Sequence, residues 1–303
     1  MSRRRAINYS NSDSRVVAVT GGGSGIGLHT AKHFASLGCD VAICGRDSIK
    51  IESAAKSLQE EFGGSVVGFV GDVSDPIQMM EFADVTRNRL GGVDVLVCNA
   101  AVLGPIGSWK ESPFERVTEV FSINVLGVIN SVRAFMDDFV NARSPRVVVL
   151  SGGGMGGPRP VKDAPFYVST KAAIATFVEV VASDFETLNG AIVVVAPGSS
   201  IATNFLQEVL EVGEQVAGPG LYKDALDHQK NEVGKSLDNY FELLDLVMGD
   251  SGLLLNGRIL SARWNRPEVL RNELAGKVNL NTYKLRRIDN DLFIAGEEGT
   301  LFP

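Results

Sequence analysis

The stretch VVAVTGGGSGIG, residues 16–27, decides the fold. Its first five residues are small, apolar and mostly β-branched, which reads as a strand buried on both faces. Three glycines, Gly21, Gly25 and Gly27, follow at once and open a helix. A backbone without Cβ atoms can approach a pyrophosphate closely there and offer it the helix N-terminal amides. The spacing is G-x-x-x-G-x-G and not the commoner G-x-G-x-x-G fingerprint, so the turn alone also reads as a structural element. Its company along the chain has to decide.

Working outward, similar apolar runs recur at DVAIC (40–44), SVVGFV (65–70), DVLVCN (94–99), RVVVLS (146–151) and AIVVVAP (191–197), with longer helical stretches between them. Continuous apolar strands alternating with helices predict an α/β fold: a doubly wound, Rossmann-type parallel sheet covered on both faces, with ligands beyond the carboxyl ends of the strands. The expected organisation is a flexible polar tail over 1–14, one dinucleotide-binding catalytic domain over 15–263, and a C-terminal extension over 264–303 that follows the strand GRILSA. Within the domain, the polar, helix-prone stretch 203–239 reads as a substrate-loop insertion. Insertion and extension are both candidates for a lid or a subunit contact, and the extension also for plain packing.

With 303 residues, 45% hydrophobic and 21% charged, the chain can bury a substantial core. The net charge of -7 argues against nucleic acid, and Arg3 to Arg5 do not reverse it. No apolar run reads as long enough for a membrane span, and MSRRRAINYSNSDSR lacks the apolar segment of a secretory signal. The expected location is therefore the cytoplasm. Cys39, Cys44 and Cys98 are odd in number, and two fall in predicted buried strands, which fits a reducing compartment and no disulfide framework.

The second strand ends Cys44-Gly45-Arg46. An acidic side chain at such an end binds the ribose 2′-hydroxyl of NAD, whereas a cation accommodates the 2′-phosphate of NADP. Arg46 predicts NADP, with NAD possible. Its hydrogen bonds to a phosphate would be worth about 1.5 to 3 kcal/mol. Asp47, next in line, is a carboxylate that could bind the hydroxyls of NAD, and it reads rather as the cap of the helix DSIKIESAAKSL.

In FYVSTKAA, residues 166–173, Tyr167 and Lys171 stand at i and i+4 and face one site. A nearby ammonium favours the phenolate over a phenol of pKa about 10, so such a pair can exchange a proton with a carbonyl oxygen as hydride arrives at the carbon. The pair is common by chance. Here it opens a helix just after the fifth strand, on the sheet edge that carries the glycine turn.

These motifs, in this order, resemble the short-chain dehydrogenase/reductase family over roughly residues 15 to 263. The glycine turn, with Gly21, Ser24, Gly25, Ile26 and Gly27 at the cofactor, is followed by Asp72-Val73, which in that family lies beside the adenine. Next comes Asn99-Ala100-Ala101, where the family usually reads N-A-G. Asn124, in EVFSINVLGVIN, matches an asparagine that helps hold a water linked to the catalytic lysine. Pro197-Gly198 matches the P-G turn after the sixth strand, and Ile201 and Thr203 resemble cofactor contacts one residue further along than usual. The resemblance implies hydride transfer between a nicotinamide cofactor and a small carbonyl or alcohol substrate. Tyr167 would be the acid/base, and Lys171 would tune it and position the ribose. It also implies a homodimer or homotetramer built from the helix 114–140 and the helix beginning near Ala164.

The departure concerns the family's catalytic serine. Alignment on the fifth strand puts Gly152 at that place, and the usual distance back from Tyr167 reaches Gly154. Ser151 could donate in its stead if the glycines let the loop shift, or backbone amides of the 152–154 run could polarise the carbonyl. The missing serine also motivates another reading, a redox-inactive nucleotide-binding protein. His29 and His33 share a helix face, but no third metal ligand is evident, so they read as helix surface or packing. His228 is isolated, and Arg286 and Arg287 read as solvated charges. The long insertion suggests a sizeable or enclosed substrate, with sugar derivatives as one guess.

Overall fold

Seven strands, all parallel, form one sheet in the order β3-β2-β1-β4-β5-β6-β7. The computed structural model describes residues 15–152, 163–198, 204–230, 237–275 and 283–285. In chain order, β1 (Val16–Thr20), α1 (Gly25–Ser36), β2 (Asp40–Gly45), α2 (Ser48–Phe62), β3 (Val66–Val70) and α3 (Pro76–Leu90) build one half of the sheet, and β4 (Val95–Cys98) starts the other. β4 returns to the far side of β1, pairing Thr20 with Cys98. The strand order therefore reverses between β1 and β4, and a crevice opens at their carboxyl ends.

The helix expected over 114–140 is broken into α4 (Phe114–Phe121), a π-helical turn (Ser122–Leu126), α5 (Gly127–Ala134) and α6 (Met136–Asn141). Then follow β5 (Arg146–Leu150), α7 (Pro165–Thr187), β6 (Ala191–Ala196), α8 (Asn204–Val212) and α9 (Glu214–Lys230). The described chain continues with α10 (Leu237–Met248), a 3-10 turn (Asp250–Leu255), β7 (Ile259–Ser261) and α11 (Pro267–Leu274). The predicted insertion thus consists, where described, of α8, an α9 kinked at Gly218-Pro219, and the start of α10. In the extension, α11 buries Pro267, Leu270 and Leu274.

Strand alternation sends Val17 and Val19 to one core layer, with α1, α2, α10 and α11, and Ala18 to the other, with α3, α5 and α7. Helix ends follow local chemistry. The Asp47 carboxylate accepts the Lys50 N–H at 3.1 Å as the expected cap of α2, and Asp75 caps α3 ahead of Pro76. Arg146, which the sequence shows only as a strand residue, is buried. Its guanidinium donates to the carbonyl of Val247 at 2.9 Å and to Ser144 Oγ at 2.8 Å, joining the last turn of α10 to the start of β5.

By length and composition alone α7 is apolar enough to cross a membrane, a run the sequence reading passed over. In the fold its Ile174, Ala175 and Val178 are buried in the core against the sheet. The three cysteines are free and buried, and burial pushes each thiol up to about 12. His33 and Asp245 share a 2.8 Å hydrogen bond, and the imidazole stacks on Phe241, so this residue packs α1 against α10.

Candidate active site

Pro165 and Ala164 start α7 just beyond the end of β5, and two turns carry Tyr167 and Lys171 inward. Lys171 is only 3% exposed. Its ammonium donates to the carbonyl of Leu150, the last residue of β5, at 3.0 Å and lies 5.3 Å from the Tyr167 ring centroid. Burial holds the Tyr167 phenol above its usual range and pushes the lysine down to about 8, opposed in part by the Cys98 thiol. Burial thus works against the phenolate that a nearby cation favours. Tyr167 also meets Phe205 of α8 edge to face at 5.5 Å.

At the end of β5 the Ser151 amide donates to Val195 at 2.9 Å, so the ladder runs one residue past the strand. A Cβ on Gly152 would stand 2.2 Å from the Tyr167 hydroxyl. Residue 152 therefore abuts the phenol, as the strand alignment expects, and the phenol fills the space a side chain there would need. Ser151 is 5% exposed, and its Oγ has no hydrogen-bond partner among the described residues. Neighbouring side chains on a strand point to opposite faces. The Ser151 hydroxyl thus does not share the direction that leads from residue 152 to Tyr167. Gly153 and Gly154 lie outside the described residues.

Asn124 sits inside the π-helical turn and is fully buried. Its Oδ1 accepts the Val102 N–H at 2.8 Å, while its Nδ2 donates to the Val102 carbonyl at 2.9 Å and to Thr170 Oγ1 at 3.1 Å. Thr170 in turn donates to the carbonyl of Tyr167 at 2.7 Å. A chain of hydrogen bonds thus runs from the segment after β4, through the π turn, to the helix that bears Tyr167. The sequence reading missed Thr170, although it stands inside FYVSTKAA.

The glycine turn lies beside β4. Gly21 and Gly25 have φ of 67° and 54°, in the left-handed region that glycine alone enters without strain. Asn99 Nδ2 donates to the carbonyls of Thr20 at 2.9 Å and Gly21 at 3.1 Å, and Thr20 Oγ1 accepts the amides of Asn99 and Ala100. A Cβ on Gly27 would lie 2.2 Å from the Gly21 carbonyl oxygen, so Gly27 is required by packing of the turn on α1. A Cβ on Gly25 would meet nothing within 4 Å, which leaves open the approach to the amides of Gly25, Ile26 and Gly27. Ser24 precedes them with extended backbone, and its side chain makes no capping bond. This cradle fits a dinucleotide pyrophosphate.

Arg46, 56% exposed in its side chain, reaches Asp72 Oδ2 at 3.7 Å and Glu119 Oε1 at 4.0 Å. Asp72 Oδ1 accepts both the amide and the hydroxyl of Ser74, and Val73 packs against the α-carbon of Gly127. Ala100 and Ala101 follow β4 half-buried, and Gly198, after Pro197, has a φ of 90°. Ile201, Thr203, Arg286 and Arg287 lie outside the described residues, as does the side chain of His228. Over the Tyr167 side of the crevice, α8 and α9 lay Phe205, Leu206, Leu210 and Leu221 against Leu103, a wall no sequence motif announced.

A doubly wound parallel sheet with a glycine cradle at its switch point and a tyrosine–lysine pair at the neighbouring strand ends defines the class of nicotinamide-dependent oxidoreductases. The family model described as short chain dehydrogenase matches residues 15–212, and the chain belongs to that family. Elsinochrome reductase 1 of Elsinoe fawcettii is 28% identical over 266 residues, covering 86% of this chain and 97% of that protein. The "Probable oxidoreductase EphD" of Mycobacterium tuberculosis is 29% identical over 220 residues, 73% of this chain, and the match spans only 36% of its length. Two solved structures share the fold at 21% identity and a TM-score of 0.70. NAD+-bound xylitol dehydrogenase covers 82% of this chain and 96% of its own. L-Sorbose reductase from Gluconobacter frateurii, complexed with NADPH and L-sorbose, covers 82% and 94%.

Proposed function

We propose that the chain is an NADP(H)-preferring oxidoreductase that interconverts a secondary alcohol and a ketone. The observation that carries this reading is the convergence of Tyr167, Lys171 and Asn124 on the strand ends beside the glycine cradle. The amides of Gly25 to Gly27 hold the pyrophosphate, Arg46 meets the 2′-phosphate, and Asp72-Val73, Asn99 to Ala101, Pro197-Gly198, Ile201 and Thr203 line the rest of the nucleotide. The bound nicotinamide supplies or takes up the hydride. Tyr167 gives its hydroxyl proton to the carbonyl oxygen as the carbonyl carbon is reduced, and the Lys171 ammonium stabilises the phenolate left behind. A phenol held above its usual range keeps that proton at neutral pH, which suits reduction.

Asn124 fixes the segment after β4 relative to α7 and supports the relay to Lys171. Ser151 polarises the carbonyl if the backbone turns at Gly152; otherwise the amides beyond it do so. The apolar wall favours a small ketone with an apolar ring or chain over the sugar derivatives suggested by the insertion's length. The exposed Phe121, Leu126 and Val180 on α4, the π turn and α7 support a homodimer or homotetramer, and three unpaired thiols support a reducing, cytoplasmic setting.

Two experiments test the reading. Tyr167→Phe should lower ketone reduction by about a hundred- to ten-thousandfold while NADPH still binds; retained turnover removes Tyr167 from the chemistry. Calorimetric titration with NADPH and NADH should show tighter NADPH binding, lost in Arg46→Ala, whereas an unchanged ratio removes Arg46. Gly152 in the serine's place favours a second reading, a nucleotide-binding protein without turnover. That reading requires tight cofactor binding and no hydride transfer to any member of a ketone panel.

A further inference from the structure

We infer that Glu119 on α4 is a specificity-determining residue for the 2′ position of the nucleotide, opposing the phosphate that Arg46 attracts. The inference rests on the reading of Arg46 given above. Arg46 Nη1 stands between two carboxylates from different elements, Asp72 Oδ2 at 3.7 Å after β3 and Glu119 Oε1 at 4.0 Å on α4. The two acids are not equivalent. Asp72 is tied in place by the amide and hydroxyl of Ser74, at 2.9 and 2.7 Å, and its own amide donates to Gln78 Oε1 at 2.8 Å. Among the described residues the Glu119 carboxylate is held only by side chains, sharing Arg46 through Oε1 and Arg116 through Oε2.

A 2′-phosphate carries nearly two negative charges. Arriving at Arg46, it must compete with both carboxylates for the guanidinium and bear their repulsion, whereas a 2′-hydroxyl meets neither cost. Asp72 cannot withdraw without breaking its turn. Glu119 can swing towards Arg116, so it is the adjustable part of the opposition, and it makes the preference for the phosphorylated nucleotide smaller than Arg46 alone would give. Lys50, the other cation near the end of β2, is paired with Asp47 and does not offset it.

The experiment is calorimetric titration of NADPH and NADH into the wild type, Glu119→Gln, Arg46→Ala and the double variant, at low and high salt. Glutamine keeps the volume and removes the charge. Glu119→Gln should tighten NADPH about fivefold and leave NADH unchanged, as expected for a partly exposed charge interaction. The gain should shrink in the Arg46→Ala background and at high salt. Equal changes for both nucleotides, or no change for NADPH while Arg46→Ala still weakens it, overturn the role of Glu119. An NADPH to NADH ratio unmoved by Arg46→Ala overturns the reading of Arg46, and this inference with it.

Discussion

Lys171 is a cation enclosed by protein, with one carbonyl, that of Leu150, to receive its charge. Its pKa is pushed down to about 8 in the fold against 10.5 in the free side chain. Between about pH 8 and about pH 10.5 this side chain therefore binds more protons unfolded than folded, and its own contribution to stability should rise with pH across that window, against the opposite contribution of the three buried thiols. Below it the buried ammonium is a standing cost. Lys171→Met, which keeps the bulk and removes the charge, should be more stable than the wild type at neutral pH and lose that advantage as pH rises to about 10.5, read as the urea midpoint at several pH values. A difference between variant and wild type that does not change with pH assigns the effect to another group. The pair Tyr167 and Lys171 was legible in the sequence because i, i+4 spacing is all it needs. The direction of the phenol's shift was not, since burial is set by Phe205 and its neighbours from an insertion about forty residues away in the chain.

Among the elements, the π turn bears most on the site. It inserts extra backbone into a helix and brings the Asn124 amide onto both polar groups of Val102, a position an unbroken helix would not give it. Asn124→Leu takes these partners from the half-buried Val102 N–H and C=O and from Thr170, and should cost about 2 kcal/mol in chemical denaturation as well as activity. A loss of activity at unchanged stability would instead confine Asn124 to the chemistry. No compositional mark betrays such a turn, so the sequence showed one helix over 114–140. The strands were legible for the opposite reason: a strand covered on both faces writes its burial as an unbroken apolar run. Gly27 was legible as a glycine but not for its reason, because its crowding by Gly21 exists only once turn and helix have met. Arg146 likewise shows its purpose only after α10 has docked.

For the whole molecule, the sheet order places β1 at the seam of two halves, and the cradle and the proton-transfer pair come from opposite sides of it. Val180 is 70% exposed on α7, the helix that also carries Tyr167. If two copies join there, as proposed, Val180→Glu should shift the protein to monomer in sedimentation, and an unaltered mass places the contact elsewhere. The three buried thiols have a consequence of another kind. Cys44 stands next to last in β2 and Cys98 ends β4, the two strands that flank β1, and Cys39 directly precedes the first of these, all pushed up to about 12. Thiolate is scarce at such positions while the sheet is closed, so an alkylating reagent must wait for the seam to part. The chain thus carries its own clock at the junction of its two halves, one whose ticking slows whenever something in the crevice holds them together.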